Sequence, residues 1–207
     1  MKLLAVFLLV TTACAQLVRA QSESEMSYCI HVGGGFPYKP QPFYDLWAPG
    51  ITAGGGVSFA QSRLTSLSVM IDFGSFPLDK ERFLKALGLP SDNNTLSGYR
   101  TSILSLTGNA KYVWAPSDLT SLYVVGGAGV LVTTTSAGEA SYSGYEVSQS
   151  GETHAAGTAS AGLGMEWTLA ASLDLYTELR YAYSFPRNNN ANTDYIPLRM
   201  GLRIPMK

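Results

Sequence analysis

The segment Leu173–Tyr183, which reads LDLYTELRYAY, decides the fold class. Its odd-numbered side chains are leucine, threonine or tyrosine, and its three charged side chains fall on even-numbered positions. Because successive side chains of a β-strand point to opposite faces, the pattern predicts a strand with one apolar and one charged face. The segment Tyr195–Ile204 repeats this alternation, with Arg199 and Arg203 on its charged face.

The same period of two recurs in six earlier segments that alternate with stretches rich in Pro, Gly, Ser and Asn. The predicted strands are residues 28–35, 50–59, 65–75, 99–114, 119–132, 154–167, 173–183 and 195–204. Connections after strands two, four and six are short, and the others are long. The predicted fold is all-β, an eight-stranded antiparallel up-and-down barrel with its long loops at one end.

The charges indicate which face of the barrel lies inside. The charged face carries four residues of each sign: Asp72, Glu166, Asp174 and Glu178 against Lys111, Arg180, Arg199 and Arg203. A closed, dry lumen requires such a balance, because an unpaired buried ion costs several kcal/mol. The apolar face would then form an outer belt suited to lipid, whereas a soluble barrel of lipocalin type hides its apolar face inside. We therefore expect a transmembrane barrel with a lumen charge network.

Three aromatic residues support the membrane interpretation. Phe59, Trp114 and Trp167 each lie on the apolar face, at a strand end beside a short turn. Membrane barrels carry rings of aromatic residues at the two membrane interfaces. These residues are therefore predicted to form an aromatic girdle at one membrane interface, the one on the side of the short turns.

The first twenty residues have the features of a cleaved secretory signal. An apolar run from Leu3 to Val10 follows Lys2 and is too short to span a bilayer as a helix. Cleavage after Ala20 would leave residues 21–207 as the barrel domain, with Cys29 as the single cysteine. The alternative is a lipid anchor on Cys14, although the residues before it lack the Leu-rich box that lipoprotein peptidases prefer.

A family resemblance follows from the last hairpins. The tail GLGMEW at 162–167, LDLYTELRY at 173–181 and LRMGLRI at 198–204 resembles the final strands of bacterial OmpA/OmpX-like outer-membrane barrels. The resemblance covers about 45 residues. In the residues before them, only the predicted arrangement of strands resembles the family. It implies periplasmic termini, short periplasmic turns, long outer loops and lumen positions for Glu178 and Arg180. The chain departs from the family in ending Ile204-Pro-Met-Lys207, without a terminal aromatic residue.

Composition and motifs exclude several functions. Only 14% of the residues are charged, against about 25% in an average domain, so no nucleic-acid surface is expected. No motif indicates a cofactor, a nucleotide site or a metal site, and the two histidines, His31 and His154, lack ligands at metal-binding spacing. A loop-borne catalytic site around His154 with Ser148, Ser150 or Glu152 remains an alternative, since outer-membrane enzymes place histidine at the outer rim.

The long loops carry candidate binding residues. Residues 36–50 contain Phe43, Tyr44 and Trp47 among four prolines, which suggests a stiff surface that either folds over the barrel mouth or binds a partner. Residues 79–87 predict a helix, because Asp79 can cap it and Gly88 and Pro90 follow it. Its apolar side includes Phe83 and Leu87 and must rest on something, since so short a helix is unstable alone. Residues 133–153, rich in Ser, Thr and Gly, predict a mobile loop.

These observations favour a non-enzymatic outer-membrane protein. The expected role is structural or one of surface interaction, with outer-membrane lipid around the belt and an extracellular or outer-membrane protein as a candidate partner. The alternatives are an outer-membrane enzyme with a site at the loop rim and a narrow solute channel. A channel would need a continuous wet path past the lumen charges.

Overall fold

The computed structural model describes residues 25–39, 43–86, 95–117, 119–142, 145–170, 172–185 and 193–206. The predicted signal peptide, residues 1–20, lies outside the described residues. Among the described residues, no helix has the length and apolar character that a membrane span requires.

Eight long strands make up the barrel wall: β1 (Met26–Lys39), β2 (Gly50–Ala60), β3 (Thr65–Pro77), β5 (Arg100–Ala115), β6 (Thr120–Thr135), β9 (Glu152–Ala170), β10 (Leu173–Phe185) and β11 (Asp194–Pro205). A separate sheet contains β4 (Thr95–Ser97), β7 (Gly138–Tyr142) and β8 (Tyr145–Gln149). Two short helices, α1 (Phe43–Leu46) and α2 (Lys80–Ala86), lie in the long connections.

Each barrel strand pairs antiparallel with its two neighbours, and β11 closes the sheet on β1 with Tyr28 opposite Ile204. Every predicted strand overlaps one barrel strand, so the predicted eight-stranded antiparallel barrel is confirmed. The short connections after β2, β5 and β9 define one end of the barrel, which we call the turn end. We call the opposite end, which carries the helices and the small sheet, the loop end.

Two loop segments test the sequence predictions at the loop end. The helix predicted at 79–87 is confirmed over Lys80–Ala86, and the Asp79 carboxylate accepts a hydrogen bond from the Arg82 amide at 3.2 Å, as a helix cap does. Leu87 lies outside the described residues. The segment 133–153, predicted to be a mobile loop, contains paired strands: β6 continues to Thr135, and β7 and β8 pair as a hairpin. Threonine favours strands, and pairing partners override the loop-like composition.

The two faces of the wall differ in polarity. Large apolar side chains project outward and are exposed, among them Val32, Ile51, Ile71, Leu163 and Leu179. Side chains of the alternate positions point into the lumen, where Asp72, Asn109, Glu178, Arg180 and Arg199 are all buried. An eight-stranded barrel is just wide enough for such side chains to fill it.

Candidate functional site: the filled lumen and the loop-end surface

The layer of the lumen nearest the turn end is held by one carboxylate between two cations. Glu166 on β9 contacts Lys111 Nζ at 3.0 Å and Arg203 Nη1 at 2.5 Å. The Lys111 ammonium also lies 4.8 Å from the centre of the Tyr123 ring, within range of a cation–π contact. Asp174 is half-buried, and it differs from the other predicted lumen charges because none of the ion pairs among the described residues includes it.

The middle layer is centred on Glu178. Its carboxylate lies 2.6 Å from Arg180 Nη2 and accepts a hydrogen bond from the Tyr123 hydroxyl at 2.9 Å. The Arg180 guanidinium also donates to Asn109 Oδ1 at 2.7 Å. The four side chains come from β5, β6 and β10, so this layer joins strands that are not all neighbours in the sheet.

The third layer lies closer to the loop end and involves Asp72. One carboxylate oxygen is 2.7 Å from His31 Nε2, and the other is 3.2 Å from Arg199 Nη2. The opposite nitrogen of the histidine, Nδ1, is 3.1 Å from the Tyr176 hydroxyl. All three charged or ionisable side chains are at most 6% exposed, so this layer is desolvated.

Strand register explains why these layers form. His31 and Asp72 both face Gly54, on the strand that separates them, and both side chains reach over that glycine. A Cβ on Gly164 would overlap the Tyr123 ring, so the lumen has room for this tyrosine only because residue 164 lacks a side chain. The lumen glycines therefore leave space for large polar neighbours.

Sequence reasoning did not include Tyr123 and Tyr176 in the predicted network, although both hydroxyls bond to its members. Both tyrosines occupy lumen positions of the period-two pattern. A tyrosine at a lumen position can hydrogen-bond to the lumen charges, and this feature of the sequence could have added both residues to the predicted network.

An apolar cluster closes the lumen at the loop end. We call it the mouth cluster; its buried members are Phe43, Phe76, Ile103, Leu131, Ala182 and Tyr195. The Phe76 ring lies 5.5 Å from the Phe43 ring and 5.6 Å from the Tyr195 ring, both in edge-on geometry. Toward the turn end, a polar cavity beside Cys29 and Arg203 has a volume of about 30 Å³, which is enough to hold a water molecule.

The predicted surface residues of the loops have different positions. Phe43 is buried in the mouth cluster, so its prediction as a surface-binding residue is wrong and it folds over the mouth. Trp47 is half-buried beside it, with ring centres 6.5 Å apart, whereas Tyr44 is 52% exposed. Phe83 on α2 packs against Tyr99 at 6.1 Å.

The two helices at the loop end support each other. The Asp79 amide donates to Leu46 O at 2.8 Å, and Trp47 forms a β-bridge with Leu78. Leu84 of α2 is buried. The N-terminal end of α2 is therefore tied to the segment that follows α1, and Phe83 on its apolar side packs against Tyr99.

Aromatic side chains surround both ends of the outer face. At the turn end, Trp114 is exposed, and Phe59 and Trp167 are half-buried. At the loop end a second group of exposed aromatic side chains, absent from the sequence prediction, consists of Phe36, Tyr38, Phe73, Tyr181 and Phe185. Tyr38 and Tyr181 stack edge-on at 5.7 Å, so the apolar belt lies between two aromatic zones.

The residues of the catalytic alternative lie near the loop end. His154 lies on the exposed part of β9 near the loop end, and its Nε2 is 3.1 Å from Glu152 Oε2. Ser148 belongs to β8, in the small sheet. Within the described part of the chain, no three His, Cys, Asp or Glu side chains are placed to hold a metal ion.

Comparison with known proteins gives structural matches only. No protein-family model matches the chain, and no curated protein matches it in sequence. The crystal structure of Neisserial surface protein A has a TM-score of 0.54 and 11% identity, covering 88% of this chain and 96% of that one. A major outer membrane protein from Thermus thermophilus also has a TM-score of 0.54, with 12% identity over 87% and 99% of the two chains. At these identities the similarity concerns the fold.

Proposed function

We propose that this chain is an outer-membrane β-barrel protein of the OmpA/OmpX-like type, with a structural or surface-interaction role. Its lumen is filled, and its extracellular loop end carries the contact surface. The observation that carries the proposal is the combination of an exposed apolar wall with a lumen closed by the mouth cluster.

The exposed wall requires an apolar environment. Outward side chains such as Ile51, at 73% exposure, and Val32, at 65%, are part of a continuous belt around the barrel. Soluble monomers rarely expose apolar patches larger than a few hundred Å². In lipid the same belt is stable, and the closed sheet leaves no backbone edge unpaired.

The loop end is the part of the molecule suited to contact a partner. The mouth cluster and the α1–α2 contact give this end its own folded base. On that base Tyr44 and the charged side chains of α2 are exposed. Exposed aromatic residues with neighbouring charges on a rigid base are typical of protein interaction surfaces.

Topology can be tested by cysteine labelling on living cells. Glu81→Cys places a thiol on the exposed face of α2, and Ser62→Cys places one in a short turn, while the natural Cys29 is buried in the lumen. We expect a membrane-impermeant maleimide to label Glu81→Cys on intact cells and Ser62→Cys only after the outer membrane is opened. The reverse pattern would overturn the assignment of the loop end to the cell surface.

The interaction role needs a separate test. A photo-crosslinking residue at Tyr44 should give a discrete adduct with one partner on living cells, whereas the same residue at the turn-end position Leu119 should not. Adducts at neither position would restrict the proposal to a structural role. A partner identified at Tyr44 should lose its adduct when charges of α2, such as Lys85, are reversed.

A further inference from the structure

A groove lies on the outward wall over β3, β5 and β6. Its volume is about 530 Å³, within the range of about 300–1,000 Å³ for small-molecule sites. The outward side chains that line it are apolar: Phe59, Leu67, Val69, Ala110 and Ala128, with Gly108 and Gly126. The groove is separate from the lumen and from the loop-end surface.

The groove arises from side-chain size in two adjacent rows of the sheet. One row runs from Phe59 through Leu67 and Ala110 to Gly126, and the next passes from Val69 to Gly108 and Ala128. The β3 side of each row is therefore bulky, while the β5 and β6 positions are glycine or alanine. These small residues form the floor of the groove. Along the strands, larger exposed residues follow the floor on both sides: Leu106 and Val130 toward the loop end, and Tyr112 and Val124 toward the turn end.

The space above Gly108 and Gly126, the two glycines of the groove floor, is open. A Cβ built on Gly108 has its nearest neighbour at 4.0 Å, and one built on Gly126 at 3.8 Å, whereas lumen-facing Gly127 would clash with Asn109. The two outward glycines are thus not required by local packing.

A cation lies on the turn at one end of the groove. The lining residue Gln61 begins the turn 61–64, and Arg63 two residues later is exposed. The Leu64 carbonyl accepts the Val113 amide at 2.8 Å, which fixes this turn against β5 below the groove floor. None of the ion pairs among the described residues includes Arg63.

We propose that this groove binds one acyl chain of a glycerophospholipid whose phosphate lies beside Arg63. The groove lies in the apolar belt, where the surrounding solvent is hydrocarbon, and its lining residues Phe59 and Gln61 lie at the turn end, which the proposed topology places at the inner leaflet. The positive side chain at the same end complements a phosphate group. The site therefore selects an inner-leaflet phospholipid, and this inference rests on the membrane placement proposed above.

Native mass spectrometry of the intact barrel, released from bilayers of phosphatidylethanolamine and phosphatidylglycerol, tests the proposal. The wild type should retain one phospholipid. Gly108→Leu combined with Gly126→Leu fills the floor and should lower retention at least about tenfold. Thr177→Leu, on β10 across the barrel, adds a similar apolar group to the wall and should retain lipid as the wild type does. Arg63→Gln should weaken retention about two- to fivefold.

The controls separate this proposal from the membrane assignment. Gel mobility without boiling shows whether each variant is a folded barrel, and failure of the wild type to fold in bilayers would overturn the proposed function itself. Equal retention by the wild type and the filled variant would overturn the lipid site alone. In a second sample, whose bilayers also contain lipopolysaccharide, preferential retention of lipopolysaccharide would overturn the assignment to an inner-leaflet phospholipid. A wild-type dimer that the filled variant abolishes would overturn it as well.

Discussion

The lumen is filled in two different ways along its length. In the region toward the turn end, ion pairs and hydrogen bonds join Glu166, Glu178 and Asp72 to their cations. At the loop end the same inward positions carry Phe76, Ile103 and Tyr195, and Phe43 enters from α1. The polar layers require strict partner geometry, whereas the mouth cluster requires only volume and apolar character.

This difference assigns separate roles to the two regions. Charges that are desolvated and paired give the barrel a specific internal arrangement, and removal of one partner leaves a buried ion without compensation. The mouth cluster anchors the loops to the barrel, because Phe43 belongs to the loop and Phe76 to the wall. The four predictions that follow test this division, beginning with the largest expected effect.

Removal of the Glu178 carboxylate should have the largest effect on stability. Glu178→Ala leaves Arg180 buried without its anion, and we expect a loss of about 3–5 kcal/mol in the free energy of unfolding. Urea unfolding of the barrel in lipid vesicles measures the loss. Glu81→Ala on exposed α2 is the control and should change stability by less than about 0.5 kcal/mol. Equal urea midpoints for the two variants would mean that the middle layer is hydrated.

Truncation of Phe76 should affect the mouth cluster. Phe76 is fully buried, and Phe76→Ala should cost about 3–4 kcal/mol through lost contacts and the cavity that remains. The control Phe185→Ala, at an exposed aromatic position, should cost less. The Phe76 variant should also increase hydrogen exchange in α1 more than Glu178→Ala does. Unchanged exchange in α1 would contradict the anchoring role of the cluster.

A charge on the outer wall should destabilise the barrel according to its depth. Leu179→Arg should cost about 2–4 kcal/mol near the bilayer midplane, whereas Leu175→Arg should cost about 0–1 kcal/mol. Leu175 pairs with Trp167 at the turn end, which places it near the interface. Unfolding in vesicles measures both. A larger cost at Leu175 would contradict this placement of the membrane.

Loss of the helix cap should have the smallest effect. Asp79→Ala removes the acceptor of the Arg82 amide, and we expect a loss of about 1 kcal/mol or less. Hydrogen exchange of α2 should rise while exchange in β10 stays constant. Asp79→Asn keeps a capping oxygen and should resemble the wild type. An equal increase with both substitutions would mean that the cap does not hold the helix.

The sequence predicted the barrel because its period of two is present in every wall strand. The sequence also predicted that Glu178 and Arg199 point inward, because the alternation of apolar and polar residues assigns each side chain to one face of its strand. The ion partners did not follow from the sequence. Asp72 pairs with Arg199 across β1 and β2, which place Gly33 opposite Arg199 and Gly54 opposite Asp72, and this contact depends on closure of the sheet.

The mouth cluster was missed for a different reason. Phe76, Ile103 and Leu131 interrupt the polar lumen face with apolar side chains, all near the loop end of their strands. Together these exceptions indicate an apolar closure, but each alone resembles an irregular strand end. The part supplied by Phe43 depends on how the loop folds back, which strand periodicity does not encode.

Ion conductance through a planar bilayer tests the central claim, a membrane barrel with a closed lumen, most directly. Gel mobility without boiling, measured on protein from the same membranes, confirms that the wild type is inserted. The inserted wild type should give no single-channel conductance steps. This result is expected because the mouth cluster and the ion-paired side chains occupy the lumen. Stable, reproducible conductance steps from the inserted wild type would contradict the closed lumen.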